Sequence, residues 1–276
     1  MLYSDNASIS AGTTADSFGT AVTVSLGDQA RRLVGLIISG ADPTYTTAEG
    51  GAARVRLNSD SIPGLANQDW ISGPVTTSGP ATNSSGQSCV QDVIPLDYDV
   101  KGNEDIDISI APTTTLTTAR LYEVAVQYTD GQVPADIIAA IGKGPIASKG
   151  SRTVDASQTT TTETALTAIT VPSWAKEVVG CRAVAHKTGA ITGGEEVGGF
   201  FRLTSTIAGI GVQEYPTNFL GATLGTPVGT GMNESQIPWL PMHIKTPGTN
   251  QTITPSINLR TAVTTANRVA FSMAWR

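Results

Sequence analysis

Charge is scarce in this chain, and so are aromatic rings, cysteine and histidine. Of 276 residues, 14% are charged and 5% aromatic, with two cysteines and two histidines. Each shortage excludes a class of function. The 17 basic residues face 23 acidic ones, for a net charge of −6, and Arg31–Arg32 is the one adjacent basic pair. Proteins that grip nucleic acid need clustered Lys and Arg to displace counterions from phosphates, so a general nucleic-acid role is not expected. Cys89 and Cys181 fall in different halves and form no disulfide framework, so both are expected to be buried thiols that pack as small apolar groups. His186 and His243 lack the spacing of metal ligands. No nucleophile elbow and no phosphate-binding loop occurs, so catalytic, metal and cofactor-binding residues are all expected to be none. The longest apolar runs, near Leu33–Ile38 and Ile137–Ile141, are too short to cross a bilayer. Met1–Asp5 has neither a basic nor an apolar segment, so no secretory signal is expected.

What the chain has instead is Thr, Ser and Gly around a 39% hydrophobic content, enough to bury cores and too much for disorder. Thr suits a pleated surface, and Gly and Ser suit turns between short strands. The same pattern is also written twice. At an offset of 145, Val24-Ser25-Leu26 falls on Ile169-Thr170-Val171, and Ala30–Gly35 falls on Ala175–Gly180. At 146, Arg56-Leu57-Asn58-Ser59 meets Arg202-Leu203-Thr204-Ser205, and Val93–Leu96 meets Trp239–Met242. At 147, Tyr122, Val124, Val126 and Tyr128 meet Val269, Phe271, Met273 and Trp275. An offset that drifts by two residues over a whole half is the mark of duplication.

The repeated blocks alternate with the period of half-buried strands: Val22, Val24 and Leu26; Ile106, Ile108 and Ile110; Val269, Phe271, Met273 and Trp275. Leu33–Ser39 and Val178–Ala185 are more continuously apolar, as expected of central strands covered on both faces. Each half offers about six to eight strands, the content of a sandwich or jelly roll. The expected fold is therefore all-β: two tandem antiparallel β-sandwiches related by duplication and joined by a short helical connector. The domains expected are 1–130, a connector at 131–149, and 150–276. Within the connector, Pro134 would open a helix over Ala135–Ile141 whose face Ile137, Ile138 and Ile141 packs beneath the sandwiches. Long polar stretches interrupt both halves in matching places, Ser72–Ser88 and Thr217–Ser235.

The densest acidic group is Asp97, Asp99, Glu104, Asp105 and Asp107. Asp97-x-Asp99 opens like a calcium loop, but its twelfth position is Ile108, and the matching segment His243–Thr254 has no carboxylate. A solvated turn is the expectation.

A duplicated sandwich without catalytic groupings points to a protein whose surface is its function. Two near-equivalent lobes in one subunit, repeated about a threefold axis, give six lobes in a pseudo-hexagonal tile. In its two halves of matching strand order, its paired final strands Ala119–Tyr128 and Asn267–Trp275 and its connector, the chain resembles the double jelly-roll major capsid proteins of tailless icosahedral viruses, often membrane-containing, of bacteria or archaea. That resemblance implies a structural, non-enzymatic protein of the virion capsid, synthesised in the host cytoplasm. It implies homotrimers contacting neighbouring capsomers, other capsid proteins at the vertices and an internal virion membrane, with no direct genome binding. The alternative is a tandem carbohydrate-binding or cell-surface adhesion module, for which Trp70, aligned with Tyr215, is the candidate aromatic platform, although both rings are expected in cores or at lobe contacts. A two-domain metal enzyme of the cupin type would need a histidine cluster, which the chain does not have.

Overall fold

The computed structural model describes residues 1–41, 51–73, 75, 91–116, 118–130, 147–187, 198–218, 234–260, 262 and 267–276. Its first lobe runs through β1 (Leu2–Ser10), β2 (Val22–Ser25), β3 (Arg32–Ala41), β4 (Ala53–Asn58), β5 (Gln68–Ile71), β6 (Asp92–Asp99), β7 (Asp105–Pro112) and β8 (Leu121–Thr129). The second runs through β9 (Gly150–Gln158), β10 (Thr164–Ala165), β11 (Ile169–Val171), β12 (Glu177–Lys187), β13 (Gly198–Ser205), β14 (Val212–Asn218), β15 (Glu234–Lys245), β16 (Gln251–Leu259) and β17 (Asn267–Trp275).

The strands pair into four sheets, all antiparallel within themselves. The first lobe has β1-β8-β3-β6 facing β2-β7-β4-β5. The second has β9-β17-β12-β15 and β10-β16-β13-β14, with β11 also on β16. Replacing each first-lobe strand by its repeat equivalent converts one order into the other. This order, in which the first strand pairs with the last of its lobe, is a jelly roll. The copies share even an irregularity. Register slips between Leu33 and Gly35 in β3, and between Val178 and Gly180 in β12, where Val34 and Val179 are the extra residues. A bulge kept at the same place in both copies is an inherited feature.

Alternation sets the cores. Ile9, Val24, Leu36, Val55, Ile108 and Val124 point into the first, and Ile169, Phe201, Ile257, Phe271 and Met273 into the second. Phe201 and Phe271 stack there with ring centroids 4.4 Å apart. Cys181 lies wholly buried in the second core, and burial pushes its thiol up to about 12, so it packs as an apolar group. Cys89 lies outside the described residues.

The expectation of a helical connector is corrected. Among the described residues there is no helix, and the sequence stretch assigned to one, Ala135–Ile141, lies outside them. What is described of the connector is extended. Ser148 forms a parallel bridge to Leu96; its carbonyl accepts from Asp97 N at 2.9 Å and its amide donates to Pro95 O at 3.3 Å. A backbone committed to an edge strand in this way has no helical hydrogen bonds to make. The two polar stretches Ser72–Ser88 and Thr217–Ser235 lie mostly outside the described residues.

Candidate functional site

The residues singled out for chemistry do not converge. Each acid of the Asp97–Asp107 group is engaged separately. Asp97 takes Arg32 at 2.5 Å, Asp99 lies 3.6 Å from Lys149, and Glu104 accepts the Lys101 amide at 2.7 Å. Asp105 and Asp107 accept the hydroxyls of Ser25 and Thr23 across the β2–β7 pair. The turn closes on Gly102 and Asn103, both left-handed, with φ of 84° and 56°. His243 is exposed and shares a hydrogen bond of 3.0 Å with Glu177. His186 lies one residue before the end of β12, and its side chain is outside those described. Among the described residues no group of three or more His, Cys, Asp or Glu is placed to hold a metal ion.

The concentration of buried polar chemistry lies elsewhere, where the two lobes meet. The edge strand β5, with its neighbour β4, lies against the outer face of the β9-β17-β12 sheet. That face is built from small residues. Ser151, Thr153, Ala270, Ser272 and Ala274 are all buried under the first lobe, which lets two backbones approach closely. Ala52 and Ile71 of the first lobe pack with Val184 and Ala270 of the second. At Gly150 an added Cβ would run into the Trp275 indole nitrogen and the Gln68 amide.

Asp69 is the hub, with no exposed surface. Its carboxylate accepts from Arg54 Nη2 at 3.0 Å within its own lobe. From the other lobe it accepts Arg152 Nη1 at 2.9 Å and the Thr153 amide at 3.2 Å. Arg54 also donates to the Thr153 carbonyl at 3.1 Å. Beside it, Arg54 and Arg268 face Asp16 and Asp155, with Arg268 Nη2 2.5 Å from Asp155. Arg56, 3.8 Å from Asp69, lays its guanidinium 3.8 Å above the Phe18 ring, and burial lowers its pKa. A second buried pair joins Arg182 to Asp92 at 2.6 and 3.4 Å in a two-pronged contact. Trp70 is fully buried, and its indole donates to Ser148 Oγ at 3.0 Å.

Charges withdrawn from water in this way gain little net stability over apolar packing, but removing any one partner strands the others, so they fix a single geometry. The lobes are thus locked edge to face.

No family model and no curated protein matches the sequence. Among solved structures, the crystal structure of the STIV MCP is 9% identical, over 100% of this chain and 96% of that one, with a TM-score of 0.40. The chain is similar to the STIV major capsid protein. A second match, the atomic structure of Sulfolobus turreted icosahedral virus, is 11% identical over 99% of this chain and 90% of that one, also with a TM-score of 0.40. A structure of infectious bursal disease virus, Gx strain, is 12% identical over 99% of this chain and 71% of that one, with a TM-score of 0.23.

Sequence reasoning expected Trp70 in a core or at a lobe contact, but it missed the ionic hub at Asp69. Its one visible signal is Arg54 and Arg56 alternating with apolar residues in β4, with Arg56 opposite Asp69. Isolated charges in a strand read as solvent-facing until a second surface covers them.

Proposed function

We propose that the chain is a structural shell protein, the major capsid protein of a tailless icosahedral virus, acting as a homotrimer of pseudo-hexagonal outline. The observation that supports this reading is the pair of jelly rolls with one sheet order, locked by a buried contact. An edge-to-face contact is heterologous: each lobe presents one surface and receives with another. Contacts of that kind close into rings when the rotation allows. Three chains would supply six lobes. With lobes at 1–130 and 150–276, such tiles would cover a plane and, with separate vertex proteins, close a shell. The chain would be made in the host cytoplasm and reside in the virion, with an internal membrane as a neighbour, while its acidity keeps it off the genome. The sugar-binding alternative loses its platform, because Trp70 is buried at the lobe contact.

The mass of the purified full chain in solution, with negative-stain images, tests the reading. A stable trimer or shell-like particles are expected. A monomer that binds a glycan array would overturn it.

A further inference from the structure

The contact inside the chain uses half of the surfaces that the duplication supplies. The first lobe presents its β4–β5 edge, and the second receives it on β9-β17-β12. The second lobe has the equivalent edge, β13–β14, and the first has the equivalent face, β1-β8-β3. Among the described residues, neither is covered within the chain. Ser4, Asn6, Ser8 and Glu123 are exposed on that face, whereas their equivalents Ser151, Thr153 and Ala270 are buried and Asp155 is half-buried. On the free edge, Arg202 and Glu214 form the same cross-strand pair as Arg56 and Asp69, but with side chains 39% and 46% exposed where Asp69 has no exposure.

The side chains on these two free surfaces have changed together. Inside the chain, Arg54 meets Asp155 and Asp155 meets Arg268. By register, Phe200 stands at the position of Arg54, Ser8 at that of Asp155 and Leu121 at that of Arg268. Three charges on two sides of one contact are replaced by two apolar groups and a hydroxyl. Phe200 is 43% exposed and Leu121 46%. Among the described residues they belong to a short set of exposed large apolar side chains, in which Leu2 shares the free face and Val212 the free edge. Where Arg152 reaches across to Asp69, its equivalent Asp5 instead accepts the Tyr128 hydroxyl within its own lobe, so the ion pair is not repeated.

From this we infer that the β13–β14 edge of one copy docks on the β1-β8-β3 face of the next, with Phe200 seated against Leu121 of the second copy. The inference rests on the self-associating reading above and adds to it the surfaces and the chemistry: the joint within a chain is ionic, and the joint between chains is apolar. A shell built this way would have salt-resistant joints between copies, since apolar contacts are not screened.

The test measures the solution mass of the full chain for wild type, Phe200→Asp, Leu121→Asp, Phe200→Leu and the double variant Phe200→Asp with Leu121→Lys. The first two place an acid in the joint and are expected to shift the mass from trimer to single chain, while the single chain still unfolds in one cooperative transition because neither site lies in a lobe core. Phe200→Leu is expected to stay trimeric, and the double variant to recover the trimer through a new ion pair. A wild type that is itself monomeric sinks the self-association reading, and this inference with it. A trimeric wild type whose two Asp variants remain trimeric leaves that reading standing and overturns the docking surfaces alone. Asp variants that lose the trimer without rescue by the double variant overturn the Phe200–Leu121 contact.

Discussion

The outer faces of β8 and β17 are the same surface in two copies, and they have met different fates. On β17, Ala270, Ser272 and Ala274 are buried beneath the first lobe; on β8, Glu123 is exposed and Ala125 and Gln127 are half-buried. The inner faces hardly differ, since Val124, Val126, Phe271 and Met273 are all buried. Duplication preserved what each lobe needs to fold, while the outward residues diverged according to what covers them. Small residues stand where a backbone must come close, and larger polar ones where solvent does the hydration.

The largest expected effect treats the lobes as equals. Val124→Asp and Phe271→Asp each bury an unpaired carboxylate in a sandwich core, at a cost of about 4 kcal/mol or more. Neither variant should show a cooperative thermal transition. Wild-type-like melting of either one would break the equivalence of the cores. The next experiment separates the lobes. Asp69→Ala leaves Arg54 and Arg152 without their shared acid and should cost about 3–5 kcal/mol in chemical denaturation. Its counterpart Glu214→Ala, on the exposed edge, should leave the midpoint of the single chain where it was. Equal effects would mean that the two edges are not differently covered.

A smaller contrast concerns close approach. Gly150→Ala forces a methyl group against Trp275 and Gln68 and should cost about 1–3 kcal/mol. The equivalent position in the first lobe is Tyr3, whose ring stacks on Tyr128 at 5.6 Å, and Tyr3→Phe should be close to neutral by the same measurement.

The smallest effect is electrostatic. Burial pushes the Glu177 carboxyl up, but hydrogen bonds from His243 and Arg276 outweigh it and hold the group below its usual range. A carboxyl depressed in the folded state adds stability above its unfolded pKa, and that stability is lost as pH falls through the folded one. Stability measured from neutral pH down through the carboxylate range should therefore decline less steeply in Glu177→Gln. An unchanged slope would show that this cluster makes no contribution.

Much of this was legible in the sequence. The offsets that align Val124 with Phe271 and Arg56 with Arg202 are the offsets of the strand registers, because core alternation and strand pairing constrain the same positions. Even the small-residue face of β17 was visible as the complement of Val269, Phe271 and Met273. Its role was not, because a row of Ala and Ser does not say which surface will cover it. The acids of Asp97–Asp107 drew attention by density along the chain, yet each meets a different partner. Asp69 sits alone in sequence and gathers groups from two other strands, β4 and β9, which only folding brings together. The helical connector failed for a related reason: local propensity near Pro134 says nothing of the β6 edge that holds Ser148 extended.

That edge has a mechanical consequence. Ser148 is stitched to Pro95 and Asp97 by backbone bonds immediately before the chain enters the second lobe, and Trp70 holds its hydroxyl from the side. Tension drawing the lobes apart along the strand direction would load those bonds together rather than peel them one by one. A sheet of such subunits would resist stretching at the joint within each subunit, and would yield first at the seams between them.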